Sequence, residues 1–241
     1  MSHPVGNAGL TPRHGSPPVI GLVGGIASGK SFVARRLEEL GAVRLDADGA
    51  GHEVLRMPEV EALARGRWGE SIFGPDARIV RKALAAIVFQ PTEEGRGELA
   101  YLEQITHPRI GERLRTLAAG GRALAAGGEA EGAAGGASAA GTPFGAAGVK
   151  SVKAFILDAP VLLEAGWDAL CDHLVYVDAP EAERLARARA RGWTVEEYRR
   201  REAAQVALAE KRARADFVID NSGPPENTKS EVDRFWKAVF G

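Results

Sequence analysis

Gly24-Gly25-Ile26-Ala27-Ser28-Gly29-Lys30-Ser31 fits the phosphate-cradle pattern G-x-x-x-x-G-K-[ST], with Gly24, Gly29, Lys30 and Ser31 at the defining positions. An apolar run of strand type, Val19-Ile20-Gly21-Leu22-Val23, stands just before it. Phe32 to Leu40 follows with apolar residues at helical spacing. Strand, glycine loop and helix in that order are the context the pattern needs. Glycines let backbone N–H groups approach phosphate oxygens with no Cβ in the way. The helix start adds unpaired N–H donors and positive dipole charge. Lys30 is then placed to reach the β- and γ-phosphates of ATP, and Ser31 to hold Mg²⁺. The competing reading is a glycine turn that carries Gly-Lys-Ser by chance, and a strand and helix both in register weigh against it.

The 241 residues suffice for one domain, or one with an inserted subdomain. A net charge of −1 gives no sign of a general nucleic-acid or anionic-membrane surface, so anion binding should be local. Cys171 is the only cysteine, which excludes an internal disulfide and a cysteine-based metal cluster and fits a reducing cytoplasm. No apolar run approaches the roughly 18 residues of a membrane span. Residues 1–18 hold Pro, Gly, His and Ser without an apolar core, so they read as a disordered lead-in and not a secretory signal.

Beyond the first helix, Gly41 is a natural helix stop. Ala42-Val43-Arg44-Leu45 alternates like a short strand and runs into Asp46-Ala47-Asp48. If strand geometry persists, both carboxylates point to one side, at the strand end that faces the ligand crevice of a parallel sheet. The plainer reading is an acidic turn. Residues 49–117 are mostly helical, too much for one crossover, and read as a helical subdomain. His107-Pro108 is expected to interrupt helix there, since the residue before proline is biased away from it. From that setting His107 reads as a turn or cap residue. Residues 118–149 are a Gly/Ala-rich, low-complexity insertion expected to be flexible. Apolar strands recur at Val152–Asp158, His173–Asp178 and Asp216–Asp220. Helices are expected over Glu181–Ala190 and Thr194–Ala215, the second opened by the capping-box pattern Thr194-Val195-Glu196-Glu197, and over 227–239 at the end. Five β-patterns separated by helices give an α/β chain with a parallel sheet.

Several separated motifs resemble one family, dephospho-CoA kinase. They are GLVGGIASGKS, the Leu45-Asp46-Ala47-Asp48 step, His107-Pro108-Arg109-Ile110, the run Leu157 to Gly166, and Arg201 to Gln205 followed by Ala215 to Gly223. The resemblance covers nearly all of 18–223 outside the insertion. It implies a P-loop nucleoside-kinase-like three-layer fold with a five-stranded parallel sheet. A core would be formed by 19–48 and 150–241, with a lid over about 181–214 and a helical CoA-binding insert over 49–117. It also implies ATP- and Mg²⁺-dependent phosphorylation of the ribose 3′-hydroxyl of dephospho-CoA. In that reading Asp48 is the base, agreeing with a carboxylate that takes the acceptor proton. Asp46 orients the site or meets Mg²⁺ through water. Gly24 to Phe32 bind ATP, with Asn221 and Gly223 near the adenine. His107, Pro160, Leu162, Leu163 and Glu164 join the acceptor site. Arg189 or Arg191 comes from the lid, with Arg191 favoured because Gly192 could set the turn that presents it.

Ala27 stands where the family often has Gly, tolerable if its φ is negative, and Phe32 stands where Thr is common. No nucleic acid, membrane or obligate partner is expected, and the chain should be a monomer or weak homo-oligomer. Two other readings remain. One is a kinase of this fold acting on a nucleoside monophosphate, shikimate or gluconate. The other is a regulatory nucleotide switch, disfavoured because no Asn-Lys-x-Asp guanine-reading motif is present.

Overall fold

The computed structural model describes residues 13–127 and 152–241. Its apolar runs form five strands, β1 (Val19–Gly24), β2 (Ala42–Arg44), β3 (Ala154–Leu157), β4 (His173–Asp178) and β5 (Phe217–Asp220). These pair in parallel in the order β2-β3-β1-β4-β5. The central strand β1 is buried along its whole length, as expected of a parallel strand covered on both faces. On one face Ile20, Leu22, Val175, Val177 and Ile219 form a core with Val33 and Leu37 of α1 (Lys30–Glu39) and with Val232, Phe235 and Trp236 of α9 (Pro225–Phe240). On the other face Gly21 lies against Leu162, Cys171 and Leu174.

The chain divides into two compact units, residues 1–45 with 117–241 and Asp46–Thr116. The second unit is helical and begins at Asp46. It comprises α2 (Ala47–Val54), α3 (Pro58–Trp68), α4 (Arg81–Val88) and most of α5 (Glu93–Ala125). Its core gathers Ala64, Ile72, Leu84 and Val88, flanked by Leu55, Trp68, Leu99 and Leu102. Glu98 ties α5 to α3 by accepting from the Trp68 indole at 2.7 Å and from Arg67.

Four expectations are corrected. His107-Pro108 does not interrupt helix, because α5 runs through it with Pro108 inside. Proline removes the N–H that would bond the Gln104 carbonyl. Side chains supply nearby bonds, Thr106 Oγ1 donating to the Leu102 carbonyl at 2.7 Å and Arg109 Nη1 to the Ile105 carbonyl at 2.7 Å. The Gly/Ala-rich segment is helical as far as Ala125, and residues 128–149 lie outside the described residues. Arg122 in this last stretch donates to the Pro17 carbonyl and to Asp172. The described part of the lead-in, residues 13–18, is anchored to the core. Fully buried Asp172 accepts the backbone N–H groups of His14 and Val19, and Arg13 pairs with Asp216 at 2.9 Å. Residues 1–12 lie outside the described residues. Thr194–Ala215 is two helices, α7 (Val195–Ala203) and α8 (Leu208–Arg214), following α6 (Glu181–Ala190). The cap at Thr194 forms as expected, its hydroxyl accepting from Glu197 N at 3.1 Å. No helix among the described residues is long and apolar enough to cross a membrane.

Candidate active site

The phosphate loop bridges the end of β1 and the start of α1, and its shape depends on glycine at two points. Gly24 has φ +152°, and a Cβ there would sit 2.6 Å from the Val177 carbonyl oxygen. Gly29, with φ +101°, is the N-cap of α1, and a Cβ there would overlap the Asn221 amide. With glycine in that place no side chain caps α1; Phe32 N donates to the Gly29 carbonyl at 2.8 Å, so the N–H groups of Lys30 and Ser31 are the ones a ligand would meet. Ser28 is buried, and its hydroxyl has no hydrogen-bond partner among the described residues. An anion seated in the loop would supply one. These features fit a nucleotide phosphate. Ala27 has φ +57°, so the condition of negative φ is not met. Its methyl group instead packs with Ala188 and Tyr198, and a left-handed alanine costs on the order of 1 kcal/mol.

Lys30 Nζ rests on the loop, donating to the carbonyls of Gly24 and Gly25 at 3.4 and 3.2 Å. Burial pulls its pKa down to about 8; Asp158 opposes this, and Lys211, Arg184 and Arg191 reinforce it. Asp158 follows β3, and burial raises its carboxyl above the usual range although Lys30 and Arg44 oppose the rise. One hollow is lined by Gly24, Lys30, Pro160, Leu162, Leu163, Glu164 and Lys211, so the loop and the Pro160–Glu164 run meet there. Leu162 and Leu163 are buried and contribute apolar wall, while Pro160 and Glu164 are exposed. Glu164 accepts from Val206 N at 2.8 Å, which fastens the α7–α8 connection to this run.

Arginine reaches the loop from α6, but from one turn earlier than expected. Arg187 Nη1 donates to the Ser28 carbonyl at 3.2 Å, and its Nη2 donates to the Asn221 carbonyl at 3.1 Å. Arg184 is buried beside Gly25, held by the Ala179 carbonyl at 3.1 Å and paired with Glu202. Arg191 is exposed at the C-cap of α6, where its charge acts on Lys30, whereas Arg189 is exposed and acts on Glu196. Residues 184, 187, 188 and 191 share one face at helical spacing, a signal present in the sequence that separates Arg187 and Arg191 from Arg189. Asn221 is buried, donating to the Ser28 carbonyl at 2.6 Å and accepting from Thr228 Oγ1 at 2.8 Å. Its side chain braces the loop. Gly223 is exposed ahead of α9, Ile26 packs against the Ala27 cluster, and Phe32 is half-buried under Arg35.

Asp46, Asp48 and His107 belong to the helical unit. The strand argument for the aspartates fails. Pairing of β2 ends at Arg44, and Leu45 N makes a last bond to the Ile156 carbonyl at 2.8 Å. Asp46 is the N-cap of α2, accepting from Gly49 N at 2.8 Å, and Asp48 stands in the first helical turn. A short carboxylate at an N-cap satisfies an otherwise orphaned N–H, which outcompetes strand extension. Both side chains are exposed. His107 is half-buried, and burial lowers its pKa against the opposing charge of Glu103, which favours neutral imidazole.

No group of three or more His, Cys, Asp or Glu residues among those described forms a metal cage. Mg²⁺ keeps waters and binds through few protein ligands and substrate phosphates. Ser31, exposed as the second residue of α1, is of the right type and position.

A profile of the dephospho-CoA kinase family matches residues 18–121 and 146–226. A dephospho-CoA kinase of Corynebacterium efficiens is 38% identical over 218 residues, covering 89% of this chain and 94% of that protein. A crystal structure of a Thermus thermophilus protein is similar with a TM-score of 0.62 at 32% identity, covering 93% of this chain and 96% of the other. A dephospho-CoA kinase from Campylobacter jejuni shares the fold, with a TM-score of 0.52, 21% identity, and coverage of 92% and 97%.

Proposed function

The chain belongs to the dephospho-CoA kinase family, and on that basis we propose that it uses ATP to phosphorylate the ribose 3′-hydroxyl of dephospho-CoA, giving coenzyme A and ADP as the final step of coenzyme A synthesis. The observation that carries the reading is the shared hollow. Lys30 at the end of the phosphate loop and the Pro160–Glu164 run line one hollow, which supports a reading with donor phosphates and acceptor side by side. The acceptor oxygen forms a bond to the γ-phosphorus as the bond to the β,γ-bridging oxygen breaks, and that electron pair leaves with ADP. Asp48 takes the acceptor proton. Lys30 and the loop N–H groups hold the donor and offset charge on the transferring group. Arg191 adds charge from the α6 end. Ser31, with Asp46 through water, would hold Mg²⁺, which supplies charge neutralisation between the phosphates. His107, Pro160, Leu162, Leu163 and Glu164 shape the acceptor side, and the α6–α8 segment acts as the lid. The protein would work in the cytoplasm.

The test is Asp48→Asn, assayed by coupled ADP release with dephospho-CoA and, in parallel, with nucleoside monophosphates, shikimate and gluconate. Wild-type turnover should be confined to dephospho-CoA. Asp48→Asn should lose at least about 10²-fold in kcat while nucleotide affinity stays within about threefold. Near-normal turnover by the variant removes Asp48 from the role, and turnover of another acceptor overturns the assignment.

A further inference from the structure

Lys211 is 3% exposed, although its neighbours in α8 are an ordinary charged surface series. A buried ammonium requires compensation, because it loses its hydration. Yet the one hydrogen bond that the Lys211 ammonium makes among the described residues is to Gln205 Oε1, at 2.8 Å. An ammonium has three N–H donors, so two remain for something else. Lys211 lines the same hollow as Lys30, Gly24 and Glu164. The positive charges of Lys30, Lys211 and Arg184 act on one another there. Glu164 and Glu202 oppose on the Lys211 side, and Asp158 opposes on the Lys30 side. Glu164 is engaged by Val206 N, and Glu202 by Arg184. Crowded like charges in a partly desolvated hollow are costly without an anion and become favourable once one arrives between them.

We propose that Lys211 is a second catalytic lysine, donating to oxygens of the transferring phosphoryl group from the α8 side while Lys30 holds it from the loop side. This rests on the kinase reading above. Gln205 is the positioning residue, keeping the ammonium aimed at the hollow between turnovers. Its amide nitrogen reaches the Pro160 carbonyl at 3.4 Å, so the Gln205–Val206 connection is joined at two points to the run that walls the acceptor side. Burial also pulls the Lys211 pKa down, which bound phosphate charge would reverse. The segment that seats Lys211 is therefore tied to the acceptor wall, and the lysine acts where charge develops during transfer, with little part in holding the ground-state nucleotide.

The test compares wild type with Lys211→Met and Lys211→Gln. Calorimetry with Mg²⁺ measures affinity for ADP and for ADP with aluminium fluoride, which imitates the phosphoryl group in flight. Both variants should bind ADP within about threefold of wild type but lose about 10²-fold of the extra affinity gained on adding aluminium fluoride. kcat with dephospho-CoA should fall similarly, with a smaller change in KM. Melting temperatures should stay level or rise, because a buried charge is removed. Undiminished discrimination for aluminium fluoride overturns the proposal. So does a loss that tracks lowered melting temperature in both variants, which identifies a merely structural lysine. The binding readout needs no acceptor. A wild type inactive on dephospho-CoA would therefore refute the acceptor assignment while leaving Lys211 separately decided.

Discussion

Raising the pH from about 7 to about 9 should weaken nucleotide binding roughly tenfold through a single proton on Lys30. Burial is the main cause of its low pKa, about 8, in the ligand-free protein. Phosphate oxygens beside the ammonium favour its charged form, so the bound protein keeps the proton to higher pH than the free one. Well below pH 8 both states are protonated and binding exchanges no proton. Above it the free amine is neutral, so binding must take a proton up, and affinity declines toward tenfold per pH unit. At about pH 9 roughly one free molecule in ten carries the charge, equivalent to about 1.4 kcal/mol. The terminal phosphate of ADP, with its second ionisation near pH 6, is already charged and adds little of its own.

Calorimetry with ADP at about pH 8.5, in two buffers of different ionisation enthalpy, should show uptake of between about one half and one proton. Lys30→Met should abolish that buffer dependence. Zero uptake by wild type, or affinity flat from about pH 7 to 9, would refute the argument that burial governs this lysine. Folding should respond with the opposite sign. Lys30 in the unfolded chain titrates near 10.5, above its folded value of about 8. The penalty of burying its charge is present in full below pH 8. Between about pH 8 and 10.5 the unfolded state binds more protons, so the contribution of this group to stability rises with pH across that window.

Two packing predictions concern what holds the loop and the lead-in. Gly29→Ala should lower stability in urea denaturation by about 2–4 kcal/mol, combining a left-handed backbone with displacement of a buried amide. A loss below about 1 kcal/mol would show that Asn221 does not brace the loop. Asp172→Ala strands two backbone N–H groups and Arg122, and should cost about 3–5 kcal/mol. An effect near zero would mean that residues 13–18 are not anchored as described.

Much of the sheet and the whole phosphate loop were legible because their signals are local. A parallel strand buried on both faces writes itself as a continuous apolar run, and Gly24, Gly29, Lys30 and Ser31 sit at fixed spacing. What misled was local chemistry competing with a regional pattern. Asp46 can extend a strand or cap a helix, and the available Gly49 N–H decided for the cap. Pro108 signals a break, yet Ile105, Ile110 and Leu114 are buried on either side of it, and that tertiary packing carries the helix through. The Arg and Lys residues of 181–214 are interspersed with glutamates in the sequence, the pattern of a solvated face. Charge balance is visible in a sequence, but which cation is desolvated is not. Arg184 and Lys211 are buried only because tertiary packing brings their segments against the loop and the Pro160–Glu164 run.

Ala27 joins these two levels. Read alone, it is a departure from glycine, acceptable only at negative φ. The structure gives it φ +57° and buries its methyl against Ala188 of α6 and Tyr198 of α7. A backbone cost of about 1–2 kcal/mol is offset in part by burial of one methyl, about 0.8 kcal/mol, so the alanine carries a net folding cost of up to about 1 kcal/mol. What it adds is a direct apolar contact between the loop that cradles phosphate and the helices that bring Arg187 to the Ser28 carbonyl. With glycine there the loop would keep its shape, and its contact with α6 would rest more heavily on polar groups such as Arg187.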